Sequence, residues 1–81
     1  MRILYFAYLP DQLGTSSEEV SLPESVSNVG ALLAMLRARG GPWEKWLGED
    51  KVKVTVNRQF AEPSTPIAAD AEIAIISTRP F

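Results

Sequence analysis

The sequence predicts an α+β fold in which one main helix packs on one face of a mixed sheet. Three observations predict it. Met1-Arg2-Ile3-Leu4-Tyr5-Phe6-Ala7-Tyr8-Leu9 is a β-branched and aromatic run, which reads as a strand that Pro10 ends. Val29, Leu32, Leu33 and Leu36 recur at the i, i+3, i+4, i+7 spacing that lines one face of a helix. Lys51-Val52-Lys53-Val54-Thr55-Val56 alternates cleanly, with valines on one side and Lys, Lys and Thr on the other, the pattern of a half-buried strand.

The remaining elements follow in order. A strand at the very start of a chain, with no leader before it, is expected inside a sheet rather than frayed at its edge. After Gly14 the segment Thr15–Glu19 is polar, and Val20-Ser21-Leu22 then alternates before Pro23, predicting a short second strand paired with the first as a hairpin. Ser27 or Asn28 is placed to cap the helix by accepting a bond from an early backbone N–H. The helix is expected over residues 29–39, stopped by Gly40-Gly41 in the left-handed conformation and kept from resuming by Pro42. Trp43 and Trp46 suggest a single further helical turn. Asn57-Arg58-Gln59 reads as a turn before Phe60-Ala61-Glu62, Pro63–Pro66 as a loop, Ala69-Asp70 as a turn, and Ala71–Ile76 as the closing strand. Strand, strand, helix, strand, short strand, strand is the order of the β-grasp arrangement, in which the first and last strands are central and parallel.

Alternation along the two central strands sorts their faces. Ile3, Tyr5 and Ala7 share one side with Ala71, Ile73 and Ile75; Arg2, Leu4, Phe6 and Tyr8 share the other with Glu72, Ala74 and Ile76. With a helix on one side only, the second side should be polar, and Arg2 and Glu72 mark it. Leu4, Phe6 and Ile76 lie there too, and Phe60 is placed to join them. A bulky apolar cluster on a solvent-facing sheet marks a partner site. The competing reading is that the Pro63–Pro66 loop or the Trp43–Trp46 turn folds over it.

With 81 residues, there is room for a single domain spanning 1–81, and a chain of that size buries only roughly 60% of the surface its unfolded state exposes. An apolar content of 46% with a net charge of −2 excludes a disordered tail and a nucleic-acid binder driven by bulk charge. No cysteine and no histidine are present, which removes disulfides, thiolate and imidazole metal ligands, the thiol nucleophile and the commonest general base. The apolar run at residues 3–9 is too short for a membrane span and lacks the flanks of a signal peptide, so a cytoplasmic protein with no membrane partner is expected. Glu18-Glu19 and Glu49-Asp50 sit beside turns and read as solvated loop. Ser16-Ser17 and Ser77-Thr78 are hydroxyls with no base in view. The tryptophans read as cover for the open end of the core, and Gly40-Gly41 as a helix stop rather than a phosphate loop. No catalytic residue, metal site or cofactor is expected.

Five stretches together carry a family resemblance that covers nearly the whole chain: I-L-Y-F-A at Ile3–Ala7 with Leu13-Gly14 after it, S-N-V-G-A-L at the helix start, R-G-G-x-W at Arg39–Trp43, V-T-V-N at Val54–Asn57, and T-P-I-A-A-D-A-E-I-A-I at Thr65–Ile75. In their order and spacing the chain resembles the small subunit of molybdopterin synthase, a ubiquitin-like β-grasp sulfur-carrier family. The resemblance implies a non-catalytic carrier with two partners. An ATP-dependent activating enzyme adenylates its C-terminal glycine carboxylate, which becomes a thiocarboxylate. The large catalytic subunit then takes the threaded tail and uses the sulfur to build the dithiolene of molybdopterin. It further implies docking through the sheet surface of Leu4, Phe6, Phe60 and Ile76, with Arg2 and Arg79 as polar rim. The departure is at the tail, where Ser77-Thr78-Arg79-Pro80-Phe81 stands in place of the family's Gly-Gly. Pro80 fixes φ and Phe81 places a ring beside the carboxylate, whereas a narrow channel favours glycine. A chain cut short of its glycines, a paralogue that docks without carrying sulfur, and a divergent tail with another use each fit. The rival functions are a sulfur carrier for thiamine synthesis or protein modification, and a β-grasp binding module that carries no sulfur.

Overall fold

The computed structural model describes residues 1–78. Its elements are β1 (Arg2–Phe6), α1 (Leu9–Leu13), β2 (Ser17–Glu19), α2 (Val29–Arg37), α3 (Pro42–Trp46), β3 (Val52–Val56), β4 (Gln59–Ala61) and β5 (Glu72–Ser77). The five strands form one sheet in the order β2-β1-β5-β3-β4. β1 and β5 run parallel, with Arg2 opposite Glu72 and Phe6 opposite Ile76, while the other pairings are antiparallel. The arrangement is the ubiquitin-like β-grasp expected from the sequence.

Helix α2 forms where its periodicity put it. The Asn28 side chain accepts a hydrogen bond from the Ala31 N–H at 2.8 Å, satisfying one of the donors a helix start leaves open. The helix ends at Arg37, two residues before the expected boundary, and Gly40 beyond it takes φ +77°. Val29, Leu32, Leu33 and Leu36 are all buried and press on Ile3, Tyr5, Ile73 and Ile75 from the central strands.

Four expectations are corrected. Pro10 does not end β1. The strand stops at Phe6 because Ala7 adopts φ +63°, which also takes Ala7 off the core face and leaves it exposed. Pro10 instead sits in the first turn of α1, where its missing N–H has no helical partner to lose, and Gly14 closes that helix at φ +78°. The second strand is Ser17–Glu19 rather than Val20–Leu22: the register Leu4–Ser17, Ile3–Glu18, Arg2–Glu19 uses the polar residues, and Val20 N–H bonds only the Met1 carbonyl beyond the strand. Glu18 and Glu19 are therefore strand residues, not loop. The last strand runs one residue further than expected, to Ser77, which is buried opposite Val52.

Candidate docking surface

The register of the sheet decides what lies on the side away from α2. Val54 is buried and pairs with Ala61, so the next rung, Thr55 with Phe60, faces the opposite way. Ala74 and Leu4 continue that rung, and Lys53, Ile76 and Phe6 form the next. Leu4, Phe6, Phe60 and Ile76 thus share one sheet face. Phe6 and Ile76 are direct neighbours, Leu4 lies one rung away, and Phe60 stands across Thr55 and Ala74 from Leu4. Phe6 is 45% exposed and Phe60 75%. Tyr8, placed on this side by alternation alone, lies beyond the end of β1 and is 42% exposed.

Both proposed covers are anchored elsewhere. The Pro63–Pro66 loop is tied to the start of α2 instead: Val29 N–H donates to the Thr65 carbonyl at 3.0 Å and Gly30 N–H to the Pro63 carbonyl at 2.8 Å. Trp46 is buried in the core, and the Trp43 ring meets Tyr5, a core-side residue, edge to face at 5.6 Å. The open face also carries charge, with Glu72 beside Arg2. Arg2 Nε pairs with Glu19 Oε1 at 3.2 Å, and the Lys53 ammonium lies 5.7 Å from the centre of the Phe60 ring. Lys53 was legible as a solvent-side residue of its strand, but its place beside Ile76 and Phe60 needs the pairing of three strands.

Of the expected tail, Ser77 is the buried end of β5, and Thr78, just past it, is held to the sheet by its N–H bond to the Lys51 carbonyl at 3.0 Å. The chain leaves the sheet at the end where Phe6 and Ile76 lie. Arg79, Pro80 and Phe81 lie outside the described residues.

On the other side of the molecule, sequence reasoning missed a polar cluster. Arg39 donates to both oxygens of Glu18, at 3.0 and 2.9 Å, while its guanidinium lies 4.4 Å from the centre of the Trp43 ring. The Tyr5 hydroxyl donates to Glu18 Oε2 at 2.8 Å. Arg39 holds the Glu18 carboxyl below its ordinary value against the opposing effect of partial burial, and Glu18 in turn raises Arg39. Burial, then the neighbouring carboxylate, pushes the Tyr5 phenol far above its ordinary range, so it stays a neutral donor. This cluster ties β1 and β2 to the segment between α2 and α3. Among the described residues no group of three or more acidic, His or Cys side chains is placed to hold a metal ion, and no helix is long and apolar enough to cross a membrane.

The family model of the ThiS family matches residues 3–78. The chain belongs to the ThiS family. Its relatives are small ubiquitin-like sulfur carriers, generally without catalysis of their own. Among solved structures, the chain is similar to a putative molybdopterin converting factor subunit 1 from Pyrococcus furiosus, with TM-score 0.75 and 22% identity over 94% of this chain and 93% of that one. It is similar as well to SAMP1 from Haloferax volcanii, with TM-score 0.78 and 23% identity over 100% and 97% of the two chains. A second structure from that organism, of small archaeal modifier protein 1, aligns with TM-score 0.75 and 23% identity over 95% and 94%. No curated protein matches.

Proposed function

We propose that this ThiS-family chain is the sulfur-carrying small subunit of a molybdopterin synthase. It docks through Leu4, Phe6, Phe60 and Ile76 onto a large catalytic subunit, with Arg2 and Arg79 at the rim. An ATP-dependent enzyme of the cytoplasm first adenylates a C-terminal carboxylate, and displacement of AMP by a sulfur donor leaves the thiocarboxylate that is delivered. The observation that carries this reading is the uncovered apolar face, which adjoins the point where β5 releases the chain: one contact surface then holds the partner and aims the tail. The likeness to a molybdopterin converting factor subunit supports the pathway. The likeness to a small archaeal modifier protein favours a second reading, a carrier used in protein modification.

The test has two arms. Phe6→Ala combined with Ile76→Ala should weaken binding to the large subunit roughly 30-fold or more, as truncation of buried anchors does at about 2 kcal/mol or above, while Arg2→Ala changes little. Unchanged affinity from a folded double variant overturns the docking assignment. In the second arm a glycine-ending family tail replaces residues 79–81, leaving Ser77 and Thr78 in place. ATP-dependent adenylation and conversion of precursor by the reconstituted synthase are expected. Adenylation without conversion favours the modifier reading, and a folded graft inert in both assays favours a binding module.

A further inference from the structure

β3 has an open rung on its β4 side, where it extends past the end of β4. Thr78 N–H donates to the Lys51 carbonyl and Asn57 N–H to the Glu72 carbonyl. Bonded pairs alternate along an antiparallel ladder, so the odd-numbered residues of β3 turn their backbone groups to β5 and the even-numbered ones turn theirs the other way. β4 meets two of the latter, pairing Ala61 with Val54 and Gln59 with Val56. Continued by one step, this register sets Pro63 opposite Val52. Proline has no N–H to offer, and the Pro63 carbonyl already accepts from Gly30. The Val52 N–H and C=O are left without a strand partner.

Beside that rung lies a groove of about 240 Å³, walled by Val29 and Leu33 of α2, Val52 and Val54 of β3, Phe60 of β4, and Pro63. It is smaller than the roughly 300–1,000 Å³ of small-molecule sites and suits one or two aliphatic side chains. Glu49 and Lys53 also line it. Glu49 is exposed and forms no ion pair among the described residues, and its carboxylate lies so near the start of α2 that a methyl group on Gly30 would stand 3.1 Å from Oε2. Lys53 brings a positive charge to the same groove from the open face. An unfilled strand rung, an apolar slot beside it, and one charge of each sign match a single kind of occupant.

We propose that this groove binds an extended peptide segment by strand addition to the Val52 end of β3, beyond β4, seating a branched aliphatic side chain between α2 and β3, with a basic residue toward Glu49 and an acidic one toward Lys53. Main-chain bonding to Val52 supplies register, and the slot and the two charges supply selectivity. The site adjoins the apolar sheet face at Phe60 and Lys53, which border both, and does not depend on sulfur being carried.

The probe is the capped peptide acetyl-Lys-Thr-Val-Ile-Thr-Glu-amide, titrated into the ¹⁵N-labelled full chain. Expected are amide shifts at Val52, Val54 and Leu33, and at least tenfold slower hydrogen exchange of the Val52 amide at saturation. Pro63→Val restores a donor opposite Val52 and lets β4 extend, so it should abolish binding. Glu49→Lys should weaken binding at least fivefold, with recovery when the peptide's lysine is replaced by glutamate; this variant decides the matter if the proline variant does not fold. No shift at millimolar peptide, shifts confined to Leu4, Phe6 and Ile76, or equal binding by the folded Pro63→Val or Glu49→Lys protein overturns the proposal.

Discussion

Glu18 is the residue on which the polar cluster turns, since Arg39 and Tyr5 both donate to it. Its carboxyl titrates lower in the folded protein than in the unfolded chain, whose value is near 4.5. The stabilisation it brings is therefore complete above that value and lost as pH falls through the lowered folded one. Part-exposed ion pairs contribute about 0.2–1 kcal/mol, and the two-pronged, ring-stacked geometry here belongs near the top of that range. Glu18→Gln should lower stability by on the order of 1 kcal/mol at neutral pH and flatten the decline below pH 4.5. Urea midpoints of both proteins from pH 7 to pH 3 check this; an acid limb as steep as the parent's sinks the idea. The cluster was hidden in the sequence because Glu18 and Arg39 stand 21 positions apart and neither belongs to a periodic pattern. By contrast, Leu4, Phe6 and Ile76 could be assigned a common face, because alternation along a strand is a local property.

At the scale of elements, two local signals carry measurable stability. Asn28→Ala removes the cap of α2 and should cost about 1 kcal/mol, with Asn28→Asp close to neutral. The β3–β4 hairpin turns on Asn57 and Arg58 at φ +51° and +72°, the left-handed pair of a tight turn, and the Asn57 side chain accepts from the Glu72 N–H at 3.0 Å. A Cβ in that region is strained, so Arg58→Gly should stabilise by roughly 0.5–1 kcal/mol despite the added freedom of the unfolded chain. Thermal unfolding of these variants gives the order Arg58→Gly, parent, Asn28→Ala; any other order removes the argument. Elements with an apolar rhythm, α2 and β3, were readable from sequence. β2 was not, because an edge strand written Ser17-Glu18-Glu19 buries little and so shows no rhythm, and Val20-Ser21-Leu22 beside it does. α1 was obscured by Pro10, a breaker inside a helix but a good fit in its first turn.

For the whole molecule, the sheet divides labour between its faces. Ile75 is fully buried against α2, and Ile75→Ala should cost about 2–5 kcal/mol, a large share of what holds so small a domain together. Ile76→Ala, one residue along but on the open side, should cost much less. Urea titrations of the two proteins test this separation, and comparable losses would mean that the open face also holds the fold. The strand order was legible because the apolar strands at the two ends of the chain flank one main helix, an order few sheets satisfy. The rung left open at Val52 was not legible, since it depends on which residues of two strands meet. The parallel union of β1 and β5 carries one more consequence, for how the protein is made. Of the five strands of the sheet β1 is made first and β5 last, and closing the loop of about 65 residues between them costs roughly 4 kcal/mol of chain entropy. Until synthesis reaches Ser77 the first strand lacks its central neighbour, so a nascent or prematurely released chain has no assembled Phe6–Ile76 surface. Any partner of that surface can engage the chain only once β5 has been made, so the topology itself withholds the surface until both strands are present.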